Sequence, residues 1–360
     1  PDCTITADDG VCAYSKGNEA NTTSGYKSYS WSVVSGPATI TSGANTSTIT
    51  WDAQGPGSVN FSVTVTDENG CVATCYKDPV IVYDLPSCTI TADDGVCAYS
   101  EGNTANTTFG YKSYSWSVVS GPANITAGAN TASITWTAGG SGTVNFSVTV
   151  IDEGDCTNTC YREVEVYDLP DCMLTAEDAC AYTEGNMANT TSGYKSYSWS
   201  VVSGPANITA GANTATITWA AGGPGTVNFS VTVTDENGCS ATCYREVTVH
   251  QNPTVDAGPD RYLYGTDASV VLSPNVTGGT PEYSYEWTDQ GTIINKDGSE
   301  NVSVSSPGTY VITVTDENGC YDSDSVKVTE VIPDIMVTKT ASPTSGSPCT
   351  NITFTITVTN

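Results

Sequence analysis

An internal repeat with a period near 84 residues constrains the fold of this chain more than any other feature of its sequence. The string SYSWSVVSGPA occurs three times, ending at Ala38, Ala123 and Ala206. This period is too long for one solenoid repeat and suits one small β domain. Tyr-Asp-Leu-Pro follows the first two units at 83–86 and 167–170, and its proline leaves little slack between neighbouring units.

Apolar and polar residues alternate within each unit. Val59, Phe61, Val63 and Val65 are separated by Asn and by Ser or Thr, and glycine, proline and asparagine interrupt the alternation about every ten residues. Leucine is scarce whereas valine and threonine are abundant, which excludes a helical protein. We predict an all-β chain of tandem immunoglobulin-like β-sandwiches arranged as an elongated rod. The predicted domains are 1–85, 86–169, 170–251 and 252–330, followed by a partial β segment at 331–360.

The charge excludes several classes of partner. Lys plus Arg number 11 and Asp plus Glu number 39, so the formal net charge is −28. Such a chain repels nucleic acid and anionic membrane surfaces. No apolar run reaches 18 residues, which predicts no direct membrane span in this segment. The chain opens at Pro1-Asp2-Cys3, already inside a repeat, and we expect no signal peptide there.

Fourteen cysteines form three quartets and two single residues. The quartets are Cys3, Cys12, Cys71 and Cys75; Cys88, Cys97, Cys156 and Cys160; and Cys172, Cys180, Cys239 and Cys243. Even counts at repeated positions predict two disulfides per unit and an oxidising, extracellular location. A four-thiolate zinc site is the alternative, which the nine-residue spacing of Cys3 and Cys12 disfavours.

Strand geometry narrows the pairing within a quartet. Cys71 and Cys75 on one strand would lie about 13 Å apart, which disfavours Cys71–Cys75 and therefore Cys3–Cys12. Of the two remaining patterns we prefer Cys3–Cys71 with Cys12–Cys75, and their equivalents in units two and three. The single cysteines, Cys320 and Cys349, are predicted to be unpaired or intermolecular.

A search for catalytic residues finds no candidates. His250 is the single histidine, and no nucleophile elbow, zinc-protease, P-loop or Rossmann motif is present. The prediction is no enzyme, no catalytic residue and no metal or other cofactor. Paired acids such as Asp67-Glu68 lie in glycine-containing turns, where a structural calcium ion is conceivable. The seven tryptophans alternate with Ser or Thr and are predicted to be core residues.

Glycosylation sequons are frequent in the chain. On the Val-x-Phe-x-Val strands, Asn60, Asn145 and Asn228 are expected to face solvent as attachment requires. The full set of candidates is Asn21, Asn45, Asn60, Asn106, Asn124, Asn145, Asn189, Asn207, Asn228, Asn275, Asn301 and Asn351.

The last thirty residues have a different pattern. Ile352, Phe354, Ile356 and Val358 alternate with threonine and form a clean apolar face. Two strands cannot bury a core alone, so the natural chain continues or another molecule completes this segment. We predict that this strand assembles with protein outside the sandwich array, by strand exchange with a copy of the chain or with the remainder of the same chain.

The fourth unit resembles a known family. GGTPEYSYEW at 278–287 and GTYVITVTD at 308–316 are similar to the polycystic-kidney-disease (PKD) domain, particularly the version repeated in large bacterial and archaeal surface proteins. The first three units resemble the same superfamily but lack its Asp-Phe-Gly-Asp-Gly segment. Residues 337–343 and 351–360 look like the opening of another microbial surface-protein repeat. The resemblance implies an immunoglobulin-like fold and a cell-surface location.

These observations favour a structural, non-enzymatic role. The leading hypothesis is a homopolymer subunit of an extracellular filament, sheath or surface layer, made of disulfide-bonded sandwiches. The first alternative is a cell-surface adhesin or carbohydrate-binding ectodomain whose partners include glycans. The second alternative is the spacer region of a secreted hydrolase.

Overall fold

The computed structural model describes residues 1–265, 268–295, 297–332, 334–342 and 344–359. These residues form β-strands and turns and no helix, which confirms the predicted all-β class of tandem immunoglobulin-like sandwiches. Two compact units are present: Pro1–Pro170 with Glu236–Cys239, and Asp171–Asp235 with Ser240–Asn360. The rod arrangement and the domain boundaries stay predictions.

Sandwich 1 packs a four-stranded sheet face to face with a five-stranded sheet. One sheet has the order β1-β3-β6-β5 and the other β2-β9-β7-β4, with β8 added beside β7. Its strands are β1 (Ile5–Ala7), β2 (Gly10–Cys12), β3 (Asn18–Thr22), β4 (Ser28–Ser35), β5 (Ala38–Ser42), β6 (Thr48–Ala53), β7 (Gly57–Thr66), β8 (Val72–Tyr76) and β9 (Val80–Tyr83).

The first strand of the sandwich changes sheets halfway along its length. β1 pairs antiparallel with β3, whereas β2 pairs parallel with β9 and places Cys12 opposite Tyr83. The crossing brings Gly10 against the ring of Tyr83, where a Cβ would lie 2.4 Å from Cε2. Glycine leaves room for the Tyr83 ring at this position of sandwich 1.

Sandwiches 2 and 3 repeat this topology with one change in the last strand. An unbroken strand replaces β8 and β9, because neither sandwich has an equivalent of Pro79, which interrupts the ladder in sandwich 1. Sandwich 2 comprises β10 (Ile90–Ala92), β11 (Gly95–Cys97), β12 (Asn103–Thr107), β13 (Ser113–Ser120), β14 (Ala123–Ala127), β15 (Ser133–Ala138), β16 (Gly142–Ile151) and β17 (Thr157–Tyr167). Sandwich 3 comprises β18 (Leu174–Ala176), β19 (Ala179–Cys180), β20 (Asn186–Thr190), β21 (Ser196–Ser203), β22 (Ala206–Ala210), β23 (Thr216–Ala221), β24 (Gly225–Thr234) and β25 (Ser240–His250).

Sandwich 4 retains the five-stranded sheet β27-β34-β33-β30-β31, and its opposite layer consists of the pairs β26-β29 and β28-β32. Its strands are β26 (Pro253–Asp256), β27 (Arg261–Tyr264), β28 (Val270–Leu272), β29 (Asn275–Gly278), β30 (Ser284–Asp289), β31 (Thr292–Ile293), β32 (Val302–Val304), β33 (Gly308–Thr315) and β34 (Tyr321–Val331). A separate hairpin follows, formed by β35 (Met336–Ser342) and β36 (Thr353–Thr359).

Each sandwich has its own hydrophobic core with tryptophan at its centre. In sandwich 1, Trp51 packs edge-on against Phe61 with ring centroids 5.0 Å apart, and the pair recurs in sandwiches 2 and 3. Trp31 is also buried, and its indole N–H donates to the carbonyl of Thr46 at 2.9 Å. The prediction that all seven tryptophans are core residues is confirmed: Trp31, Trp51, Trp116, Trp136, Trp199, Trp219 and Trp287 are buried.

Candidate functional site

One disulfide closes each of the first three sandwiches internally. The pairs are Cys3–Cys75, Cys88–Cys160 and Cys172–Cys243, with Cα atoms 5.7 to 5.9 Å apart. Each bond ties a cysteine two residues before the first strand to β8 in sandwich 1, or to the last strand, β17 or β25, in sandwiches 2 and 3. Closing a loop of about 72 residues in the unfolded chain stabilises a sandwich by roughly 4 kcal/mol.

The preferred pairing of Cys3 with Cys71 and of Cys12 with Cys75, together with its equivalents, is therefore wrong. Cys12 lies opposite Tyr83, the last residue of β9, whereas Cys75 lies on β8, opposite Val63 of β7. Cys75 and Tyr83 are eight residues apart along β8 and β9. That is roughly 25 Å, far beyond the reach of a disulfide. The sheet change after β1 carries Cys12 to the end opposite Cys71 and Cys75.

A second set of disulfides joins successive sandwiches. Cys12 bonds to Cys156, Cys97 to Cys239, and Cys180 to Cys320, with Cα atoms 5.4 to 5.5 Å apart. In each bond the first cysteine ends a short parallel strand, β2, β11 or β19. The second cysteine belongs to the next sandwich, 144, 142 or 140 residues later in the sequence. Pairing the cysteines only within a unit, as the repeat pattern suggests, does not predict these bonds.

The second cysteine of each bond is the last residue of a five-residue acidic turn. The acidic turns are 67–71, 152–156, 235–239 and 316–320, one in each sandwich. In sandwich 4, Asp316 Oδ1 accepts the backbone N–H of Cys320 at 2.9 Å, and the Asp316 N–H donates to the Cys320 carbonyl at 2.8 Å. Asp152 and Cys156 form the same two bonds. Beside Cys156, the carboxylate of Asp155 hydrogen-bonds Lys112 Nζ and raises the pKa of that lysine. The acidic residues thus fix the turn that presents the thiol.

Cys320 was predicted to be unpaired or intermolecular, and this is wrong because it bonds to Cys180. The acidic turn of Cys320 lies beside the start of sandwich 4: a Cβ on Gly279 would approach both Pro253 N, at 2.9 Å, and Asp316 Oδ2, at 3.1 Å. Cys180 pairs in register with His250, just before that start. Cys71 and Cys349 are the free cysteines among the described residues, and both are exposed.

The acidic residues and the histidine of the described chain do not converge on a metal site. The described residues contain no cluster of three or more His, Cys, Asp or Glu side chains that could hold a metal ion. His250 Nε2 lies 3.5 Å from Asp178 Oδ2, and both groups are partly exposed at the end of sandwich 3. Asp67, from the paired acids, uses Oδ1 to accept the backbone N–H groups of Asn69 and Cys71. In the part of the chain that the structure describes, no helix could span a membrane.

The candidate glycosylation sites differ in accessibility. Contrary to expectation, the asparagines on the Val-x-Phe-x-Val strands are half-buried, because β7, β16 and β24 each lie between two neighbouring strands. The side-chain Oδ1 atoms of Asn145 and Asn228 are fully buried. Half-buried are Asn21, Asn60, Asn106, Asn145 and Asn228; exposed are Asn45, Asn124, Asn189, Asn207, Asn275, Asn301 and Asn351.

Two exposed tyrosines recur in each of the first three sandwiches, and they are not among the residues predicted from the sequence. Tyr76, Tyr161 and Tyr244 follow the cysteine of the internal disulfide and are 63 to 70% exposed. Tyr14, Tyr99 and Tyr182 lie two residues after the short parallel strand, are 62 to 73% exposed and have φ of 61 to 65°. In the sequence, these tyrosines occupy polar positions of the alternating pattern and recur once per repeat. That pattern predicts exposed aromatic residues.

The predicted assembly strand lies in the separate β35–β36 hairpin. Phe354, Ile356 and Val358 stand opposite Ala341, Lys339 and Val337, and together these residues form one face. The three apolar residues of β36 are 56 to 61% exposed, and Ile352 just before the strand is 43% exposed. Lys339 Nζ lies 4.3 Å from the centre of the Phe354 ring. The opposite face of β36 is threonine at 353, 355, 357 and 359.

Comparison with known proteins agrees with this architecture. The family described as "PKD-like domain" matches residues 1–79 and 84–166, and a second family, a PKD domain of the KIAA0319-like type, matches residues 174–249. The dyslexia-associated protein KIAA0319-like protein of Mus musculus is 27% identical over 213 residues, which make up 52% of this chain and 20% of the mouse protein.

Solved structures of immunoglobulin-domain arrays are also similar. The titin I-band fragment I67–I69 aligns at 11% identity over 69% of this chain and 100% of the fragment, with a TM-score of 0.32. The N-terminal eight Ig domains of Down syndrome cell adhesion molecule align at 11% identity over 94% of this chain and 49% of that one, with a TM-score of 0.31.

The sheet topology and the disulfides define a tandem array of disulfide-bonded, immunoglobulin-like β-sandwiches, and the family matches make its first three sandwiches PKD-like. The PKD resemblance of the first three units is confirmed by these family matches, whereas that of the fourth unit, 252–330, stays a prediction. The bacterial or archaeal origin that this resemblance suggested is not supported, because a curated relative comes from mouse.

Proposed function

We propose that this segment is a non-enzymatic adhesion module at the cell surface, which presents exposed tyrosines to a neutral carbohydrate. Six disulfides, three of them between sandwiches, suit an oxidising extracellular compartment. A β scaffold closed by disulfides suits the presentation of a binding surface.

The observation that carries this proposal is the recurrence of the same exposed tyrosines in three sandwiches. Burying a tyrosine ring against a partner releases a large apolar area while its hydroxyl keeps a hydrogen bond. Few rotatable bonds make this contact inexpensive in entropy, which explains why tyrosine is enriched at binding surfaces. Core residues would be buried, but Tyr76, Tyr161 and Tyr244 are not.

The net charge of −28 favours a neutral partner over an acidic one. A neutral sugar stacks its C–H groups on a tyrosine ring and meets the Ser, Thr and Asn side chains of the surrounding surface. Because the sandwiches are covalently joined, weak sites in each one add by multivalency, and the array binds more tightly than one sandwich.

A glycan microarray of neutral and acidic oligosaccharides tests the proposal with the oxidised chain. We expect binding to neutral glycans, and a loss of at least about tenfold in the triple variant Tyr76→Ser, Tyr161→Ser and Tyr244→Ser, because each site contributes to avidity. The matched control replaces Val34, Val119 and Val202, each 53% exposed, by serine and should bind normally. Failure of the unaltered chain to bind any neutral glycan, or equal loss in both variants, would contradict the proposal.

A second candidate function, the structural subunit of a polymer, is favoured by the β35–β36 hairpin. Its exposed face of Val337, Phe354, Ile356 and Val358 contributes to none of the four sandwich cores. An apolar sheet face with open strand edges is suited to pairing with a second copy of the chain. Such pairing would link copies into an extracellular filament or sheath.

A further inference from the structure

Four equivalent cysteines end the acidic turns of the four sandwiches, and three of them have the same kind of partner. Cys156, Cys239 and Cys320 each bond to the cysteine on the short parallel strand of the preceding sandwich. All three are 0% exposed because the bonded neighbour covers them. The same covalent site is therefore occupied three times within this one molecule.

Cys71 is the fourth member of this set and its turn already has the same geometry. Asp67 Oδ1 accepts the Cys71 N–H at 2.9 Å, and the Asp67 N–H donates to the Cys71 carbonyl at 3.0 Å. These bonds match those of Asp152 with Cys156 and of Asp316 with Cys320. The difference is that Cys71 is exposed and free.

We infer that Cys71 is the attachment site of a further PKD-like sandwich, through a disulfide to the cysteine on that sandwich's short parallel strand. The regular separations of 144, 142 and 140 residues place the partner cysteine at about that distance before Cys71 in the same polypeptide. This inference does not depend on the proposed carbohydrate binding.

A second copy of this chain does not supply such a thiol. Its short-strand cysteines, Cys12, Cys97 and Cys180, are all bonded. In sandwich 4 the equivalent position on β27 is Tyr262, which pairs with Thr329 as Cys180 pairs with His250. The fourth sandwich therefore ends the series of bonds, and Cys71 leaves it open at the other end.

The bond forms by thiol–disulfide exchange. The oxidant is a small-molecule or protein disulfide of the oxidising compartment. The Cys71 thiolate attacks that disulfide and releases one thiol, and the partner thiolate then displaces the second. Two cysteine thiols become one disulfide, and two electrons and two protons pass to the oxidant, which leaves as two thiols.

A chain extended by a copy of residues 86–169 placed before Pro1 tests the inference directly. The junction reproduces Leu-Pro-Asp-Cys as it occurs at 169–172, since the chain opens with Pro1-Asp2-Cys3. The copy's Cys156→Ser change removes its own unpaired thiol. After alkylation and non-reducing peptide mapping, we expect Cys71 bonded to the copy's Cys97, whereas Cys71 is fully alkylated in the original chain and in a control with the copy's Cys97→Ser.

Two results would overturn the inference. The first is alkylation of Cys71 in an extended chain whose added copy has folded. The copy's internal Cys88–Cys160 bond reports that folding. The other comes from the natural full-length protein, where Cys71 should map to a cysteine 140 to 144 residues earlier. A bond to Cys349, a Cys71–Cys71 bond between copies, or an unbonded Cys71 in that protein would contradict it.

Discussion

Single glycines at the edge of each of the first three sandwiches permit contacts that no other residue would permit. Gly36, Gly121 and Gly204 have φ of 95 to 100°, and a Cβ on any of them would lie 2.1 to 2.2 Å from a backbone carbonyl oxygen of the neighbouring strand. They belong to the repeated Ser-Gly-Pro-Ala segment. This segment therefore recurs because the β4–β5 turn, and its equivalents, press against backbone that cannot move aside.

Gly36→Ala is expected to destabilise sandwich 1 by about 3 kcal/mol, because backbone strain and overpacking act together. Gly25→Ala is the matched control: its φ is also positive, at 94°, but no atom lies within 4 Å of its Cβ position. That control should cost only about 1 kcal/mol. Calorimetry of the oxidised variants compares the two, and equal losses would show that the contact with Ser58 contributes nothing.

The strands themselves could be predicted from alternation, because one apolar face and one polar face specify a half-buried strand. Val59, Phe61, Val63 and Val65 are all buried in β7, as the sequence predicts. The disulfide partners could not be predicted this way. The partner of Cys12 depends on the sheet change after β1 and on a residue 144 positions away, Cys156. Local periodicity contains no information about which end of one sandwich meets the next.

The hairpin β35–β36 makes the polymer hypothesis testable. Phe354→Asp with Ile356→Asp places two charges on its apolar face and should abolish any assembly, because burying unpaired carboxylates between copies is strongly unfavourable. Thr355→Asp with Thr357→Asp puts the same charges on the opposite face of the same strand and should leave assembly intact. Light scattering and electron microscopy report the outcome. Fibres from the first variant, or equal loss in both, would rule out this face as the interface.

At the scale of the whole molecule, the six disulfides form overlapping loops that limit how far the chain can be stretched. The shortest covalent route from residue 1 to residue 332 passes from Cys12 to Cys156 and from Cys180 to Cys320. It contains roughly 50 residues, about 170 Å when extended, whereas the reduced chain would reach roughly 1,100 Å. A module of this design keeps its sandwiches folded under tension, which suits adhesion and polymer functions alike.

The individual bonds do not contribute equally to this limit. Cys12–Cys156 provides a short covalent route across sandwiches 1 and 2, and the internal bonds Cys3–Cys75 and Cys88–Cys160 provide a second one. Sandwich 4 contains a single cysteine and has no internal disulfide, so that Cys180–Cys320 alone bypasses its core. The mechanical protection of sandwich 4 therefore depends on the sandwich before it.

Single-molecule pulling on chains tethered at residues 1 and 332 should reveal this asymmetry. Cys180→Ser with Cys320→Ser should lengthen the accessible extension by roughly 70 residues, about 230 Å, because sandwich 4 then unravels. Cys12→Ser with Cys156→Ser also removes a bond between sandwiches but should leave the accessible extension almost unchanged. The internal bonds Cys3–Cys75 and Cys88–Cys160 still provide a covalent route of the same length. If both variants lengthened equally, or if the oxidised parent already extended as far as the reduced chain, the disulfide network would differ from the one described here.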